Sequence, residues 1–552
     1  MMKLQKLAIA VAVMTALSAC GSSDDDPITC KDGEILNPDT NVCEPEPEPE
    51  PVDYYNSDNW KEAFPEQHES WAKTAENNPE SGKPTDLLEA NPNLVAAWAG
   101  YGFAKDYNRA RGHHFALTDI ITTLRTGAPM VGMDGEIVGE TMAASCWSCK
   151  TTDVARLYEE KGEGKFSNNG WSVWGDEMGN TIGCSDCHDH GKSDLRLSRP
   201  YTDRAMTIID KTFAAQSHDM QSSQTCAQCH VEYYFDGTDE KKVRYPWDFW
   251  VPGVETDYAD KVAYQGTDDL YKGFAAEAQL AYFDDKGFKD WTNAISGAPM
   301  LKAQHPEFEN LLDRTKETHP SPSNHLEFSC NTCHMPKSTN AEGEEYSNHQ
   351  VNFSMAKLPS DCTGCHTEGG IFDINKIVEE RKAEIDALRF GENGTDLRLT
   401  EVHFKAQAIW AANNIEGLDA GKSIGEAKAN YEAALAAGNE LATDMNSLLV
   451  KVRNAQWFWD SATASHGIAA HNPAEAKRLL TKANTVLDAA IAEADTLLTK
   501  YGSSYTFDKT MYDSKAKLQP LAGLNLDQMN ADKETFIKER VEKEWPAKLE
   551  SY

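Results

Sequence analysis

Apolar residues in the last third of the chain recur at helical spacing. Leu441, Met445, Leu448, Val452 and Trp459 follow one another at intervals of four, three, four and seven residues. This spacing predicts one face of a long α-helix.

A second helix is predicted to begin at Asn472, where an N-cap residue precedes a proline at the first helical position and a glutamate at the third. Its apolar stripe consists of Leu480, Ala483, Leu487, Ala490, Ala494 and Leu497. Stripes of this kind either form the core of one chain or join two copies of it, and the sequence leaves both readings open. We therefore treat residues 373–501 as a long-helix region and a candidate dimer interface.

The pattern of apolar and polar residues is different in the rest of the chain. Residues 54–372 alternate short elements with Gly/Pro-rich and polar loops and show no sustained amphipathic helix. Residues 502–552 form a C-terminal extension, in which the stretch Lys533 to Lys548 is charged and predicted to be helical. We expect this extension not to touch the chemistry proposed below.

The N-terminus reads as a targeting segment followed by a tether. Lys3 and Lys6 precede an apolar run that is too short to span a bilayer, so residues 1–19 are predicted to be a signal peptide. The run ends in Leu-Ser-Ala-Cys, which resembles a bacterial lipobox and predicts lipidation at Cys20; an ordinary signal peptide is the alternative. Residues 20–53 form a Pro/Glu-rich tether, in which Cys30 and Cys43 are expected to form a disulfide rather than a metal site.

Composition restricts the classes of protein that the chain can belong to. The mean hydropathy of −0.59 argues against an integral membrane protein. The net charge of −35 argues against nucleic acid as a partner, because phosphate would be repelled over most of the surface.

Five Cys-x-x-Cys pairs dominate the chemistry of residues 54–372. They are Cys146/Cys149, Cys184/Cys187, Cys226/Cys229, Cys330/Cys333 and Cys362/Cys365. The residue after each pair is, in order, Lys150, His188, His230, His334 and His366. Two thiols at this spacing add to the vinyl groups of a haem and place the next side chain against the iron, so the pattern predicts five covalently bound c-type haems.

Zinc is the competing ligand for paired cysteines. A Cys₄ zinc site uses pairs two at a time and needs no following histidine, whereas this chain has an odd number of pairs and four following histidines. Export also argues against free thiolates, which oxidise outside the cytoplasm. We therefore favour haem.

The one motif that ends in lysine stands apart. A haem with two histidine ligands is saturated and only passes electrons, whereas a haem with one open face binds substrate. A lysine amine ligates iron only in its neutral form, so Lys150 indicates a functional haem, with a degenerate electron-transfer motif as the alternative.

The order of these motifs, together with CAQCHVEYYF and KAQHPEFE, resembles the ammonia-forming pentahaem cytochrome c nitrite reductases over roughly residues 60–501. The resemblance implies a mainly α multihaem fold with very little β-structure. It also implies an enzyme that reduces nitrite, hydroxylamine and nitric oxide at the lysine-ligated haem. By the same resemblance Lys150 would hold the catalytic iron, and Arg125, Tyr233 and His305 would surround its open face.

The resemblance further implies a calcium ion and the remaining iron ligands. Calcium would be bound by Glu232, Tyr233, Lys302 and Gln304, through hard oxygen ligands. The distal histidines would be His113 for the third motif's haem, His349 for the second's and His471 for the fourth's. For the fifth motif's haem both His319 and His325 are available, and we favour His319.

The resemblance implies a periplasmic homodimer that receives electrons from a cytochrome or a quinol dehydrogenase, and the lipobox implies a lipid anchor. The rival from another class is a multihaem cytochrome that only transfers electrons. A second rival is a related enzyme that acts on hydroxylamine or sulfite.

Overall fold

The structure of the protein is a computed structural model. It describes residues 30, 34–40, 42–45, 52–133, 135, 142–240, 242–247, 274–312, 329–351, 363, 366–370, 372–413, 433 and 435–546. Contacts divide the chain into two units, Met1–Val52 and Asp53–Tyr552.

The described part of the first unit is a small hairpin. Strand β1 (Glu34–Asn37) pairs antiparallel with β2 (Val42–Pro45), and a disulfide joins Cys30 to Cys43. The disulfide predicted from the sequence is therefore confirmed. The signal peptide and the lipidation site at Cys20 lie outside the described residues.

The second unit is mainly helical, as predicted. Its first α-helices are α1 (Pro65–Ala72), α2 (Leu87–Ala90), α3 (Asn93–Ala97), α4 (Ala116–Thr122), α5 (Asp153–Lys161), α6 (Glu163–Ser167), α7 (Cys184–Cys187), α8 (Pro200–Ile208), α9 (His218–Cys226), α10 (Ala276–Asp285), α11 (Glu307–Leu312) and α12 (Cys330–His334). These helices are short, as the irregular pattern of residues 54–372 predicts. The longer helices follow as α13 (Ile374–Phe390), α14 (Thr395–Ala412), α15 (Glu440–Thr463), α16 (Ile468–His471) and α17 (Pro473–Lys500).

The C-terminal extension adds α18 (Lys515–Leu521), α19 (Leu526–Phe536), a π-helical turn (Ile537–Val541) and α20 (Glu542–Glu544). Strand content is confined, among the described residues, to two-stranded antiparallel pairs. In the second unit these are β3 (Tyr234–Phe235) with β4 (Val243–Arg244), β5 (Trp291–Thr292) with β6 (Pro299–Met300), and β7 (Lys337–Thr339) with β8 (Glu345–Ser347). No helix in the described ranges is long and apolar enough to cross a membrane.

The two long stripes form intramolecular core. Every stripe residue of α15 and α17 is buried within the single chain, and the two helices pack against each other. The predicted start of α17 is confirmed, because the Asn472 side chain accepts a hydrogen bond from the backbone N–H of Glu475. Burying one large apolar side chain stabilises a fold by about 1.5–3 kcal/mol, so this pair anchors the C-terminal half.

A second apolar cluster surrounds the first cysteine motif. It contains Trp147 from that motif, Trp171, and Trp545 from the C-terminal extension. The rings of Trp147 and Trp171 are stacked 4.3 Å apart, and the ring of Trp545 lies 5.4 Å from Trp171. The extension therefore packs directly behind the motif that carries Lys150, although none of its described residues lines the cavity reported below.

Candidate active site

Four of the five cysteine pairs lie in the described residues. The first pair lies at and just after a 3₁₀ turn (Ala144–Trp147), and the second bounds helix α7. The third pair lies at the end of α9 and the fourth within α12. The side chains that form no disulfide there are Cys146, Cys149, Cys184, Cys187, Cys226, Cys229, Cys330 and Cys333. Cys362 and Cys365 lie outside the described residues.

Pairs of histidines face each other at a separation that leaves room for a metal atom. The ring centroids of His188 and His349 are 6.1 Å apart, and those of His334 and His471 are also 6.1 Å apart. A metal–imidazole bond of about 2.0–2.1 Å on each side, added to the half-width of each ring, accounts for such a separation. The two pairings are those expected for the haems of the second and fourth motifs.

One large cavity connects the first three motifs. Its volume is about 1200 Å³, and it is lined by both cysteines of each of these motifs and by Lys150, His188, His230, His113 and His349. The pKa of His113 is lowered to about 4 by burial and by nearby His230, so its imidazole is neutral, as an iron ligand must be. Cysteine pairs, facing imidazoles and this volume together fit covalently bound haem.

The cysteines of the fourth motif do not line this cavity. Asn331 and Met335 line it, whereas Cys330 and Cys333, both predicted to bind a haem covalently, do not. Cys333 follows Asn331 by two residues on α12, a step of about 200° around a helix, so the two side chains point in opposite directions. Cys330 lies beside Cys226 of the third motif, and the bonds of Cys330 and Cys333 to the fourth haem stay predictions.

A buried arginine ties the first three motifs together. Arg199 donates to the backbone carbonyls of Ser148 and Thr151, on either side of Lys150, at 2.8 and 3.0 Å. It also pairs with Asp186 of the second motif at 2.7 Å, and its backbone N–H donates to Gln228 of the third at 2.8 Å. Because Arg199 is 1% exposed, the network fixes these motifs relative to one another.

Arg125 reaches the same cavity from the loop after α4. Its Nε donates to Thr123 Oγ1 at 3.2 Å and lies 3.6 Å from Asp106 Oδ1. Its guanidinium lies over the ring of Phe103, 4.4 Å from the centroid. The side chain is thus held on three sides before any ligand enters the cavity.

His305 and Tyr233 also line the cavity. Burial lowers the pKa of His305 well below its usual value, and burial raises the pKa of Tyr233 well above its own, so both side chains are neutral at neutral pH. The ring of His305 stands 6.4 Å from that of His230. An open cavity with a cationic group and two neutral proton-bearing groups is suited to binding and protonating a small anion.

The residues expected to bind calcium lie together at the wall of this cavity, which Tyr233, Lys302 and Gln304 line. Glu232 is 1% exposed, and its Oε2 accepts from the backbone N–H of Gln304 at 2.6 Å. Gln304 Nε2 in turn donates to the carbonyl of Lys302 at 3.4 Å. Burial raises the pKa of Glu232 well above its usual value. A buried carboxylate with nearby amide and carbonyl oxygens fits a calcium ion, which would offset that cost.

The family model for cytochrome c552 matches residues 56–551. The chain belongs to the cytochrome c552 family. Among solved structures it is similar to the cytochrome c nitrite reductase of Desulfovibrio desulfuricans ATCC 27774, with 26% sequence identity and a TM-score of 0.61. The match covers 80% of this chain and 86% of that one, whose catalytic subunit has two calcium sites.

This cytochrome c552 match extends beyond the region of sequence resemblance. It includes nearly all of the extension after Tyr501, which lies outside the region of sequence resemblance. The extension approaches the cavity through Lys533, whose Nζ donates to the carbonyls of Ile121 and Thr126 at 2.5 and 2.7 Å, four residues before and one residue after Arg125.

Sequence reasoning missed Arg199, Lys533 and the partners of His305, because each acts through a contact between distant parts of the chain. Of the residues predicted for the fifth haem, His319 and His325 lie outside the described residues. His366 is described, and its Nδ1 lies 2.6 Å from the carbonyl of Phe372.

Proposed function

We propose that the protein is an exported enzyme that reduces nitrite to ammonium with six electrons, at a haem whose iron is held by Lys150. The observation that carries the proposal is the convergence of Lys150, Arg125, Tyr233 and His305 on the cavity that contains the first three motifs. The likeness to a cytochrome c nitrite reductase, within a family match over most of the chain, supports it.

Lys150, Arg125, His305 and Tyr233 would each have a different role in the reaction. The lysine-held haem would supply the iron to which nitrite binds and the electrons that reduce it. The Arg125 guanidinium stabilises the bound anion, and the neutral imidazole of His305 offers one N–H to its oxygens. Tyr233 adds a second hydrogen-bond donor, its hydroxyl. Conversion of nitrite to ammonium consumes eight protons and releases two waters, so proton donors beside the substrate are required.

The other haems act as the electron supply. We propose His188 with His349, His230 with His113 and His334 with His471 as axial pairs, and His366 with His319 for the fifth haem. A haem held by two neutral imidazoles would have no open position for substrate and would only transfer electrons.

We also propose that calcium binds at Glu232, Tyr233, Lys302 and Gln304. The ion would fix the segment that leads to His305 and add positive charge near the anion. The same active site should accept hydroxylamine and nitric oxide as alternative substrates.

Steady-state reduction of nitrite with a dye as electron donor, with ammonium quantified, tests the assignment. In Lys150→His, imidazole replaces the amine at the catalytic iron, and ammonium yield should fall sharply. Lys161→His, at the exposed end of α5, is the matched control and should behave as wild type. A nitrite-dependent shift of a high-spin haem signal should accompany activity, whereas a pure electron-transfer cytochrome would show only six-coordinate irons.

We propose that the enzyme is periplasmic, is anchored by a lipid at Cys20, forms a homodimer and takes electrons from a cytochrome or a quinol dehydrogenase. The apolar stripes of α15 and α17 are buried in the core of the chain itself. A dimer would therefore use the outward faces of these helices, where Val450 is 40% exposed. Light scattering on the purified protein and fatty-acid analysis of its N-terminus test the dimer and the anchor.

A further inference from the structure

Three side chains with metal-binding atoms meet at the edge of the cavity, outside the ligand sets described so far. The ligand atoms of His305, Glu307 and His466 all lie within 4.8 Å of one another. His305 precedes α11 and Glu307 begins it, whereas His466 lies on the loop between α15 and α16. The two imidazole rings are stacked, with centroids 5.4 Å and planes 19° apart.

Two of these ligand atoms are buried without a hydrogen-bond partner among the described residues. They are His305 Nδ1 and Glu307 Oε2, and Glu307 itself is 7% exposed. His230 Nδ1 lies 3.7 Å from Glu307 Oε2, which is too long for a hydrogen bond. A buried polar atom without a hydrogen bond destabilises the fold, and a bound cation would satisfy His305 Nδ1 and add to the weak ion pair that Glu307 Oε2 makes with His230.

We propose that His305, Glu307 and His466 form a zinc site. Two imidazole nitrogens and one carboxylate oxygen are a zinc ligand set that leaves a fourth position for water. Calcium and magnesium instead require oxygen ligands throughout. Both histidines line the large cavity, so a metal ion can reach them from it.

Zinc at this site would engage His305 and inhibit nitrite reduction. This consequence rests on the proposed function, because it requires His305 to serve the substrate. The binding of zinc does not rest on it, and the two are measured separately.

Binding is tested on the holoenzyme by letting the protein compete with a chromophoric zinc indicator for added zinc chloride, in chelator-free buffer. We expect the wild type to bind one zinc ion per chain, and we expect the zinc affinity of His466→Gln to be weaker by more than about tenfold. His218→Gln is the matched control, because His218 is an exposed histidine 3.9 Å from Asp219 and should contribute only weak surface binding. In zinc-soaked crystals of the wild type, an anomalous peak should lie within bonding distance of all three side chains.

Inhibition is measured as the loss of nitrite turnover on adding zinc, relative to each variant's own zinc-free rate. Zinc should inhibit the wild type and His218→Gln but not His466→Gln, and excess calcium should not relieve it. Equal zinc affinity in wild type and His466→Gln, or relief by calcium, would overturn the proposal, since relief would place zinc at the Glu232 site. If the wild type reduced no nitrite, the proposed function would fail while the stoichiometry and the anomalous peak still decided the zinc site.

Discussion

Replacing Lys533 with methionine should weaken nitrite binding with little change in overall stability. Lys533 is 5% exposed, and its Nζ donates to the carbonyls of Ile121 and Thr126 and to Thr126 Oγ1. Phe536, one turn later, lies against Gly127. The helix α19 therefore holds both ends of the short loop that presents Arg125.

The magnitudes of two opposing effects decide the outcome for stability. Burial lowers the pKa of Lys533 from 10.5 to about 7, which corresponds to roughly 5 kcal/mol of cost for keeping the charge in the fold at low pH. Methionine removes that cost but leaves two buried carbonyls without donors, at about 1–3 kcal/mol each. The two effects nearly cancel, so the melting temperature should move little at pH 7.

The effect on nitrite should be larger, because the loop loses its anchor. A hydrogen bond to a charged group contributes about 1.5–3 kcal/mol. If the displaced loop weakens the hydrogen bond between nitrite and Arg125 by about half of that, KM for nitrite should rise about tenfold. Hydroxylamine carries no negative charge, and its KM should change much less. Lys538→Met is the control, because Lys538 pairs with Glu534 on the exposed side of the same segment.

Stability should also respond to pH in a defined direction. The unfolded chain holds a proton on Lys533 up to about pH 10.5, whereas the folded chain, with the lowered pKa, releases it near pH 7. The unfolded state thus binds more protons in this window, and wild-type stability should rise from pH 7 to 10.5 relative to the methionine variant. An unchanged KM for nitrite in Lys533→Met, or an equal rise in KM for nitrite and hydroxylamine, would refute the role given to Lys533.

Three further variants test the site. Arg199→Gln leaves Asp186 buried without its charged partner and should cost about 3–5 kcal/mol in the free energy of unfolding, whereas Lys477→Gln, which breaks an exposed pair with Glu384, should cost less than about 1 kcal/mol. Gly127→Ala should raise the nitrite KM, because φ is +71° and an added Cβ would collide with the Phe536 ring. Glu232→Gln should reduce bound calcium, measured by elemental analysis, together with turnover; retention of a full calcium equivalent would contradict the assigned ligand.

Local patterns in the sequence were sufficient for the elements whose signals are local. The haem motifs are read from neighbouring residues, and the cap at Asn472 predicts the start of α17, which the structure confirms. The stripes predicted helices but not their partners, since burial against the same chain and against a second copy require the same apolar face. Only the structure shows that these side chains are buried within one chain.

Contacts between distant segments could not be predicted in this way. Lys533 and Thr126 are 407 residues apart, and Lys533 lies in a charged stretch where nothing distinguishes it from the exposed Lys538. Its burial follows from the carbonyls that it meets, which belong to a different part of the chain. Arg199 is similar, because its role depends on carbonyls flanking Lys150.

The electrostatics of the site reconcile a strongly acidic protein with an anionic substrate. The net charge of −35 would repel nitrite at long range, but screening in salt limits that repulsion to about 8–10 Å. Arg125 and Arg199 bring positive charge to the lining of the cavity, and burial raises the pKa values of the nearby carboxyls Glu309 and Asp290 to about 8 and about 7. Carboxyls in such a state contribute less negative charge near the substrate. A locally cationic cavity is thus built by burying acids as well as by placing bases, and a calcium ion at Glu232 would shift the balance in the same direction.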